Sequence, residues 1–374
     1  MATITKRGSS FKITVSLGYG ADGRQIRKTT TFKPPQNVTD KKAEKLARAF
    51  AVEFEKDCQG RTSLNENMRF NDLVTWYFAN YAPNKLKPVT IYTYEGQLKS
   101  HIQPTFGNVK LKDFSAAKLT KFFGEVELSP ATCKKLFTIL ESVFTQAVKI
   151  GFLRESPCKN VILPKQEKTK KKSLTDIQTK ELLKMIEEYS LLNTILKVLL
   201  YTGARSGEIL GLKWENIDFD KHLIHITQTL AYIKGKRFLQ TPKTKTSVRY
   251  IGMSASLEKI LLEHKQEQDK IKGFVGASYV YPEMVFATST GNYVDRSFTN
   301  RQFKKLIKDT DFSFASLHTL RHCNATILIN SGIDLKIVSE HLGHSGVSVT
   351  ADIYTDVLSS TKQKVADLVA LNLE

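Results

Sequence analysis

The sequence contains few cysteines and no long apolar segment. Four of its 374 residues are cysteine, and their spacings fit neither a disulfide framework nor a paired Cys-x-x-Cys zinc site. We therefore expect reduced thiols in the cytoplasm. No apolar run reaches the roughly 18–20 residues that span a bilayer, and the first residues lack the apolar core of a signal peptide. These absences predict a cytoplasmic protein with no membrane partner.

Negative charge is also scarce. The chain has 37 acidic and 56 basic residues, which gives a formal net charge of +19. This excess favours a polyanionic partner, and nucleic acid is the commonest one. Charge alone is equally compatible with any basic soluble protein, so it supports a functional motif without replacing one. The length predicts two or three domains, since a single core of this size is uncommon.

Six dispersed polar residues carry the chemical signal, and they include no carboxylate pair and no standard metal box. They are Arg205, Lys243, His318, Arg321, His344 and Tyr354. Guanidinium groups bind the non-bridging oxygens of a phosphodiester bidentately and stay charged. Histidines donate hydrogen bonds and move protons near neutrality, and a tyrosine oxygen is a nucleophile once its proton leaves. The set therefore indicates a site that holds a phosphodiester while a phenol attacks it.

These motifs resemble those of the tyrosine recombinases, specifically the lambda-type integrases of phages and conjugative transposons. The resemblance rests on the order Arg, Lys, His-x-x-Arg, His, Tyr and on the distance between the last two, since Tyr354 follows ten positions after His344. It also rests on Pro-Lys-Thr at 242–244, ahead of Ser-Val-Arg-Tyr-Ile at 247–251. It covers the chain from about Phe70 to the end. The first 60 residues resemble the family in layout.

The resemblance assigns a role to each residue around the phosphate. Tyr354 would attack the scissile phosphate and form a 3′-phosphotyrosyl link, which frees a 5′-hydroxyl. Arg205, Arg321 and His344 would hold the phosphate. Glu208 lies three residues after Arg205 and would orient its guanidinium group. This chemistry implies a site-specific DNA recombinase of a mobile element that needs no cofactor and no metal.

The residues that move protons are less sharply defined. His318 would assist as an acid or base, and Lys243 would protonate the leaving oxygen. Pro-Lys-Thr-Lys-Thr offers Lys245 as a second candidate, and the resemblance selects Lys243. We interpret Arg249 as structural or phosphate-facing.

The histidines also suggest a zinc hypothesis. His318 and His322 are four residues apart, and His341 and His344 are three apart, with Cys323 nearby. These spacings fit no standard zinc box, and a metal would compete with the arginines for the phosphate. We therefore interpret His322 and His341 as packing residues.

Residues 1–60 predict a separate basic domain that resembles an arm-site DNA-binding domain. Alternation at 10–17 and 24–32 predicts strands around a glycine-rich turn, and a helix is predicted to follow as far as about Cys58. We expect a small three-stranded sheet with one helix. Basic residues of this sheet are expected to lie in a DNA groove, as in β-ribbon proteins. They are Lys12, Arg24, Arg27 and Lys28.

Residues 65–164 predict a helical-bundle domain that resembles the family's core-binding domain. Four helices are predicted near residues 72–78, 90–98, 115–126 and 129–148. The segment Pro-Thr-Phe-Gly at 104–107 is predicted to break the second helix. A basic linker follows at 165–172. Three lysines of this linker are expected to lie along a phosphate backbone, namely Lys170, Lys171 and Lys172.

Residues 173–374 are predicted to form the catalytic domain, so the fold class is multidomain α+β. This domain is expected to be mainly helical, with a small β-sheet or hairpin near Lys243. Tyr354 is expected on a short helix, ahead of a C-terminal tail from Ser359. The tail would fold onto its own domain or onto a neighbouring protomer.

The expected partner is double-stranded DNA, at core sites and at arm sites. By resemblance, four protomers would assemble on two duplexes, with accessory DNA-bending or excision factors as possible further partners. Type IB topoisomerases and telomere resolvases share the chemistry, but the basic N-terminal unit and the linker argue against them. A non-catalytic DNA-binding regulator would have no reason to keep all six site residues.

Overall fold

The computed structural model describes residues 2–19, 25–35, 38–59, 67–167, 172–242, 245–344, 346 and 370. The chain separates into two compact units, Met1–Glu167 and Lys168–Glu374. The boundary between them falls in the lysine-rich linker. A further division of the first unit near residues 60–65 stays a prediction. None of the described helices is long and apolar enough to cross a membrane.

The N-terminal sheet has three antiparallel strands in the order β1-β2-β3, and one helix packs on it. The elements are β1 (Thr3–Arg7), β2 (Ser10–Tyr19), β3 (Gln25–Phe32) and α1 (Asp40–Gln59). Alternate residues of β2 are buried, and Phe11 packs with Ala43 and Ala47 of α1. The expected three-stranded sheet with one helix is therefore present.

Residues 67–167 are helical. The helices are α2 (Phe70–Trp76), α3 (Ala82–Lys85), α4 (Pro88–Gln97), α5 (Gln103–Phe106), α6 (Ala116–Glu125) and α7 (Pro130–Lys149). The apolar stripe of the last helix is fully buried, as Leu136, Ile139 and Val143 show. Phe70 of α2 packs its ring against Phe144 of α7, with 5.6 Å between centroids. Aromatic packing thus joins the first and last helices of this segment.

The second predicted helix ends within the predicted break at 104–107, after Phe106 and with Gly107 as its C-cap, although Pro104 itself does not interrupt it. A π-helical segment, Leu98–Ile102, follows α4 directly, and Pro104 then lies in the first turn of α5. Pro83 likewise follows a π-helical segment, Tyr77–Tyr81. Proline lacks the N–H that an α-helical turn needs, and its ring meets the preceding turn. A local widening to π geometry accommodates both features without ending the helix.

The second unit is mainly helical and contains two small sheets. Its helices are α8 (Asp176–Met185), α9 (Leu191–Thr202), α10 (Ser206–Leu210), α11 (Ala255–Val275), α12 (Arg296–Leu306), α13 (Leu317–Asn330) and α14 (Leu335–Leu342). Its strands are β4 (Ile217–Asp218), β5 (Leu223–Ile226), β6 (Thr229–Ile233), β7 (Lys236–Gln240) and β8 (Arg249–Gly252). Strands β4, β5 and β8 form one sheet, and β6 and β7 form a hairpin. A capping box formed by Thr175 and Gln178 starts α8.

Two glycines determine where helices end beside the candidate site. Gly203 ends α9 with φ of 61°, and Gly343 ends α14 with φ of 68°. A Cβ on Gly203 would collide with the side-chain oxygen of Asn324 and would lie 2.7 Å from Leu342 Cδ2. Asn324 Nδ2 also donates to the carbonyl oxygen of Leu200 at 2.9 Å. The end of α9 is therefore packed tightly between α13 and α14.

We expect Gly203→Ala to destabilise the C-terminal unit by about 2–4 kcal/mol, because backbone strain adds to a steric collision. The matched control is Gly235→Ala, since Gly235 has a φ of 83° with nothing near the added carbon. The control should cost about 1 kcal/mol. The measurement is the urea midpoint from Trp214 fluorescence, with Trp76 replaced by Phe throughout. Equal midpoint shifts would contradict the tight packing at Gly203.

Candidate active site

Arg205 lies at the junction of α9 and α10, immediately after the left-handed turn at Gly203. Its amide N–H donates to Glu208 Oε2 at 3.0 Å, and its Nη1 donates to Glu208 Oε1 at 2.7 Å. Its Nη2 donates to the carbonyl oxygen of Gly343 at 2.9 Å. The side chain is 40% exposed. The guanidinium group is thus held from two sides while part of it faces outward.

Glu208 is a buried carboxylate that binds two arginines. Its side chain is 2% exposed, and Arg249 Nη2 donates to its Oε2 at 3.0 Å. Burial raises the pKa of this carboxyl, but the charge of Arg249 and the hydrogen bonds from Arg205 and Arg249 outweigh it. The net pKa lies below its ordinary value, so Glu208 is ionised at neutral pH. Glu208 thus holds the backbone and the guanidinium group of Arg205, and its role in orienting that group towards a substrate stays a prediction.

Arg249 begins β8 and connects three parts of the unit. Besides its bond to Glu208, its Nε donates to the carbonyl oxygen of His341 at 2.6 Å. Its Nη1 donates to the carbonyl oxygen of Ser247 at 3.1 Å. Only 8% of the residue is exposed. This placement agrees with the structural interpretation of Arg249.

Arg321 on α13 is the most deeply buried of the candidate catalytic groups that the structure describes. It is 2% exposed, and its Nη1 donates to the carbonyl oxygen of Gly203 at 2.9 Å. Nη2 is buried, and nothing within the described ranges accepts a hydrogen bond from it. Burial, followed by the charge of Arg205, lowers the pKa of Arg321 to about 9. The group stays protonated at neutral pH, and the charge of Glu208, which raises its pKa, only partly offsets burial and the charges of Arg205 and Arg249.

His344 follows Gly343 and is half-buried. Its backbone N–H donates to the carbonyl oxygen of Ser339 at 3.0 Å, which fixes the start of the loop after α14. Burial lowers the pKa of its imidazole to about 4, and the charges of Arg321 and Arg205 act in the same direction. His344 is therefore neutral at pH 7 and has one ring N–H to donate.

The other histidines divide between surface and core. His318 is exposed on α13, and its ring lies 4.5 Å from that of His322, nearly perpendicular to it. Burial, with the charges of Arg249 and Arg321, lowers the pKa of His341. The described part of the chain contains no cluster of three His, Cys, Asp or Glu side chains that suits a metal ion. Cys323 contacts Thr179 instead, with 3.1 Å between Sγ and Oγ1.

The structure thus brings together Arg205, Glu208, Arg321 and His344. His318 lies one turn before Arg321 on the same helix. Two further site predictions, Lys243 and Tyr354, lie outside the described residues. Sequence reasoning missed the buried pairing of Arg249 with Glu208. Two oppositely charged residues 41 positions apart give no local signal of contact.

The predicted DNA-binding residues of the N-terminal sheet do not share one face. Ser16 pairs with Arg27 and Val15 pairs with Lys28, so these two basic residues point to opposite sides. Lys12 lies on the side of Arg27, away from the buried residues of β2. Lys12 and Arg27 therefore share the outer face, whereas Lys28 lies on the side that carries α1.

One of the predicted linker residues is described. Lys172 is exposed, and its Nζ lies 5.7 Å from the centroid of the Phe314 ring. A lysine over an aromatic face gains a weak attraction and keeps its charge in water. The remaining predicted DNA contacts, Arg24, Lys170 and Lys171, lie outside the described residues.

The sequence matches established families in two places. Residues 172–361 match the phage integrase family, and residues 69–125 match the N-terminal SAM-like domain of phage integrases. A XerC-like tyrosine recombinase of Caldanaerobacter subterraneus is 32% identical over 97% of this chain and 95% of its own length. The ICEBs1 integrase of Bacillus subtilis is 27% identical over 96% of each chain.

The fold is similar to solved integrase structures. The Tn1549 transposon integrase in complex with transposon right end DNA has a TM-score of 0.66 at 21% identity, covering 80% of this chain and all of that one. A lambda integrase dimer bound to a core site has a TM-score of 0.55 at 16% identity, covering 94% and 93%. The chain belongs to the phage integrase family of tyrosine recombinases, enzymes that cut and rejoin DNA strands. It is thus a site-specific recombinase with the expected α+β fold.

We expect His344 to titrate near pH 4 in the DNA-free protein, because burial and nearby guanidinium groups disfavour its charged form. An unfolded chain would take up this proton near pH 6.5. Stability should therefore be fully present above pH 6.5 and fall as the pH drops towards 4. The measurement is an NMR titration of the imidazole, with His344→Gln to assign its signal. A midpoint near 6.5 would contradict the cationic surroundings.

We expect Arg249→Met to cost about 3–5 kcal/mol of stability, since it leaves Glu208 buried with one of its two arginine partners missing. The matched control is Arg237→Met, which removes a partly exposed pair with Asp295 at 2.9 Å. The control should cost less than about 1 kcal/mol. Urea unfolding measures both. Similar costs for the two variants would show that burial of the Arg249 pair has no energetic importance.

Proposed function

We propose that Arg205, Arg321 and His344 bind the scissile phosphodiester and that Tyr354 attacks it. The observation that carries this proposal is the buried guanidinium group of Arg321, whose Nη2 has no acceptor within the described ranges. Glu208 is the carboxylate that Arg205 contacts, and Arg249 already shares it. A phosphate at this position would supply both acceptor oxygens and further negative charge.

The same charges favour the transition state over the substrate. Attack on a phosphodiester adds negative charge at the non-bridging oxygens, where the two guanidinium groups donate. Their positions are fixed beforehand by the Glu208, Gly343 and Gly203 oxygens, so little reorganisation is needed. In other enzymes, removal of one such donor costs about 3–4 kcal/mol of transition-state stabilisation. These cations supply the charge stabilisation that a metal ion gives elsewhere, so we propose a metal-independent reaction.

The proton steps complete the proposal. The Tyr354 oxygen bonds to phosphorus as its proton passes to a base, a role we assign to His318. The bond from phosphorus to the 5′ oxygen then breaks, and Lys243 donates a proton to that oxygen. Rejoining reverses these steps with the 5′-hydroxyl of the partner strand. The phosphotyrosyl bond conserves the bond energy, so no nucleotide cofactor is required.

We further propose that the chain is the integrase of a mobile element. The ICEBs1 and Tn1549 relatives support this assignment. We assign arm-site binding to residues 1–60, core-site binding to 65–164 and catalysis to 173–374. Four protomers would act on two duplexes, as in a lambda integrase tetramer bound to a Holliday junction. Accessory factors and a cytoplasmic location, where the DNA substrate lies, remain part of the proposal.

Two assays separate this proposal from its competitors. Trapping of covalent protein on a nicked suicide substrate distinguishes an enzyme from a DNA-binding regulator. Recombination between two sites distinguishes an integrase from a type IB topoisomerase, which would relax supercoils without exchanging partners.

We expect Tyr354→Phe to abolish covalent capture of DNA and to leave DNA affinity unchanged, because only the nucleophilic oxygen is lost. Tyr250→Phe is the matched control, since Tyr250 is 63% exposed and stacks on His225. The control should capture DNA as the unaltered protein does. Denaturing gels measure the adduct and gel shifts measure affinity. An adduct of normal yield with Tyr354→Phe would show that another residue is the nucleophile.

We expect deletion of residues 1–64 to leave core-site binding and cleavage intact and to abolish bridging to arm sites. All proposed catalytic residues lie beyond this segment, and a linked module adds avidity instead of chemistry. The loss should be largest at low salt, because phosphate contacts weaken as salt rises. Gel shifts and cleavage on core-only and arm-flanked duplexes measure the effect. Loss of core-site cleavage would show that the domain boundary is misplaced.

A further inference from the structure

The outer face of the N-terminal sheet carries five threonines. Strand alternation and register place them on the side opposite the buried residues of β2. They are Thr3, Thr5, Thr14, Thr29 and Thr31. Among the described residues of this face, none is acidic and none is purely apolar. The face therefore combines methyl groups, hydroxyl groups and positive charge.

The register arranges these threonines in rows across the sheet. Thr3 pairs with Thr14, and Thr14 pairs with Thr29, so one row consists of three neighbouring threonines. The next row towards the β1–β2 turn contains Thr5, Lys12 and Thr31. Each threonine presents a methyl group beside a hydroxyl group. The first row is thus a continuous band of methyl and hydroxyl groups.

The dimensions of this face match a DNA groove. The outer strands of a three-stranded sheet lie about 10 Å apart, and the major groove of B-DNA is about 12 Å wide. Same-face residues along a strand are about 6.8 Å apart, close to twice the 3.4 Å rise per base pair. When the strands run along the groove, the distance between successive rows of side chains therefore equals the distance between every second base pair.

The side chains at the far end of the face are held in place by one another. Arg27 Nε donates to Gln25 Oε1 at 2.8 Å, and Gln25 Nε2 donates to Ser16 Oγ at 2.8 Å. Lys12 lies two rows away on the same side. These cations flank the Thr3–Thr14–Thr29 row, where they suit the phosphates on either side of the bases.

We infer that this face reads thymine in the major groove, through contacts of threonine methyl groups with the C5-methyl groups of consecutive A·T pairs. Thymine is the base that presents a methyl group in that groove, and threonine methyl contacts with it are a recognised mode of readout. The threonine hydroxyl also suits the O4 acceptor beside that methyl. The inference rests on the proposed arm-site function of residues 1–60 and adds the base composition of the site.

The test removes single methyl groups from the DNA and from the protein. Full-length protein selects duplexes from a random pool, and the selected site is rebuilt with deoxyuridine for thymidine, which removes the methyl group alone. One buried methyl is worth about a four-fold change in affinity. We expect each critical replacement to weaken binding by about that factor. Thr14→Ser removes the methyl group that faces the DNA and keeps the hydroxyl group. With this variant, one of the deoxyuridine replacements should no longer weaken binding.

Two controls complete the design. Thr14→Val keeps the methyl group of threonine and replaces the hydroxyl group with a second methyl group. Deoxyuridine replacement should therefore still weaken the binding of this variant. Thr30→Ser lies on the opposite face, where Thr30 pairs with Ile13, and it should also retain the effect. Selected sites without consecutive A·T pairs, or full affinity after every deoxyuridine replacement, would overturn the inference. If residues 1–60 have no arm-site function, the outcome would differ: the protein that lacks residues 1–64 would select the same duplexes as the full-length protein.

Discussion

The candidate site depends on one buried carboxylate. Glu208 accepts hydrogen bonds from the backbone and guanidinium group of Arg205 and from the guanidinium group of Arg249. Without this negative charge, two cations would lie close together in a region of low dielectric, where like charges repel strongly. Through Arg249 the same carboxylate is linked to β8 and to the carbonyl oxygen of His341. The ionised Glu208 carboxylate thus fixes the start of α10 and the start of β8, and through Arg249 it is linked to the end of α14.

The arrangement leaves the site with an excess of positive charge when no DNA is bound. One carboxylate compensates two guanidinium groups, and Arg321 adds a third charge that is almost fully buried. Burial lowers the pKa values of Arg321 and His344 most, and this excess of positive charge lowers them further. The DNA-free protein therefore carries an electrostatic cost that a phosphodiester would remove. Binding and catalysis draw on the same imbalance, since further negative charge develops during attack.

The sequence allowed prediction of those features that local patterns determine. The ten-residue spacing from His344 to Tyr354, the C-cap at Gly203 and the stripe along α7 are each visible within a short window. Other features depend on contacts between distant segments. The Arg249–Glu208 pair joins residues that no periodicity connects, and the π-helical turn ahead of Pro104 depends on how neighbouring helices pack. The side of the sheet on which Lys28 lies was missed although β3 carries a faint apolar phase, since Ile26 and Phe32 both stand an even number of positions from Lys28.

The two π-helical segments have a consequence for how the helical bundle tolerates insertions and deletions. A π turn holds one more residue than an α turn over the same stretch of axis. Removal of one residue within Leu98–Ile102 would allow regular α-helical hydrogen bonding upstream of Pro104. Because the shortened turn would still close with one residue fewer, side chains beyond the deletion would keep nearly the same orientation relative to those before it. Phe106, which is 6% exposed, would stay in the core, and the cost would fall instead on Pro104, whose ring would meet a regular α-helical turn.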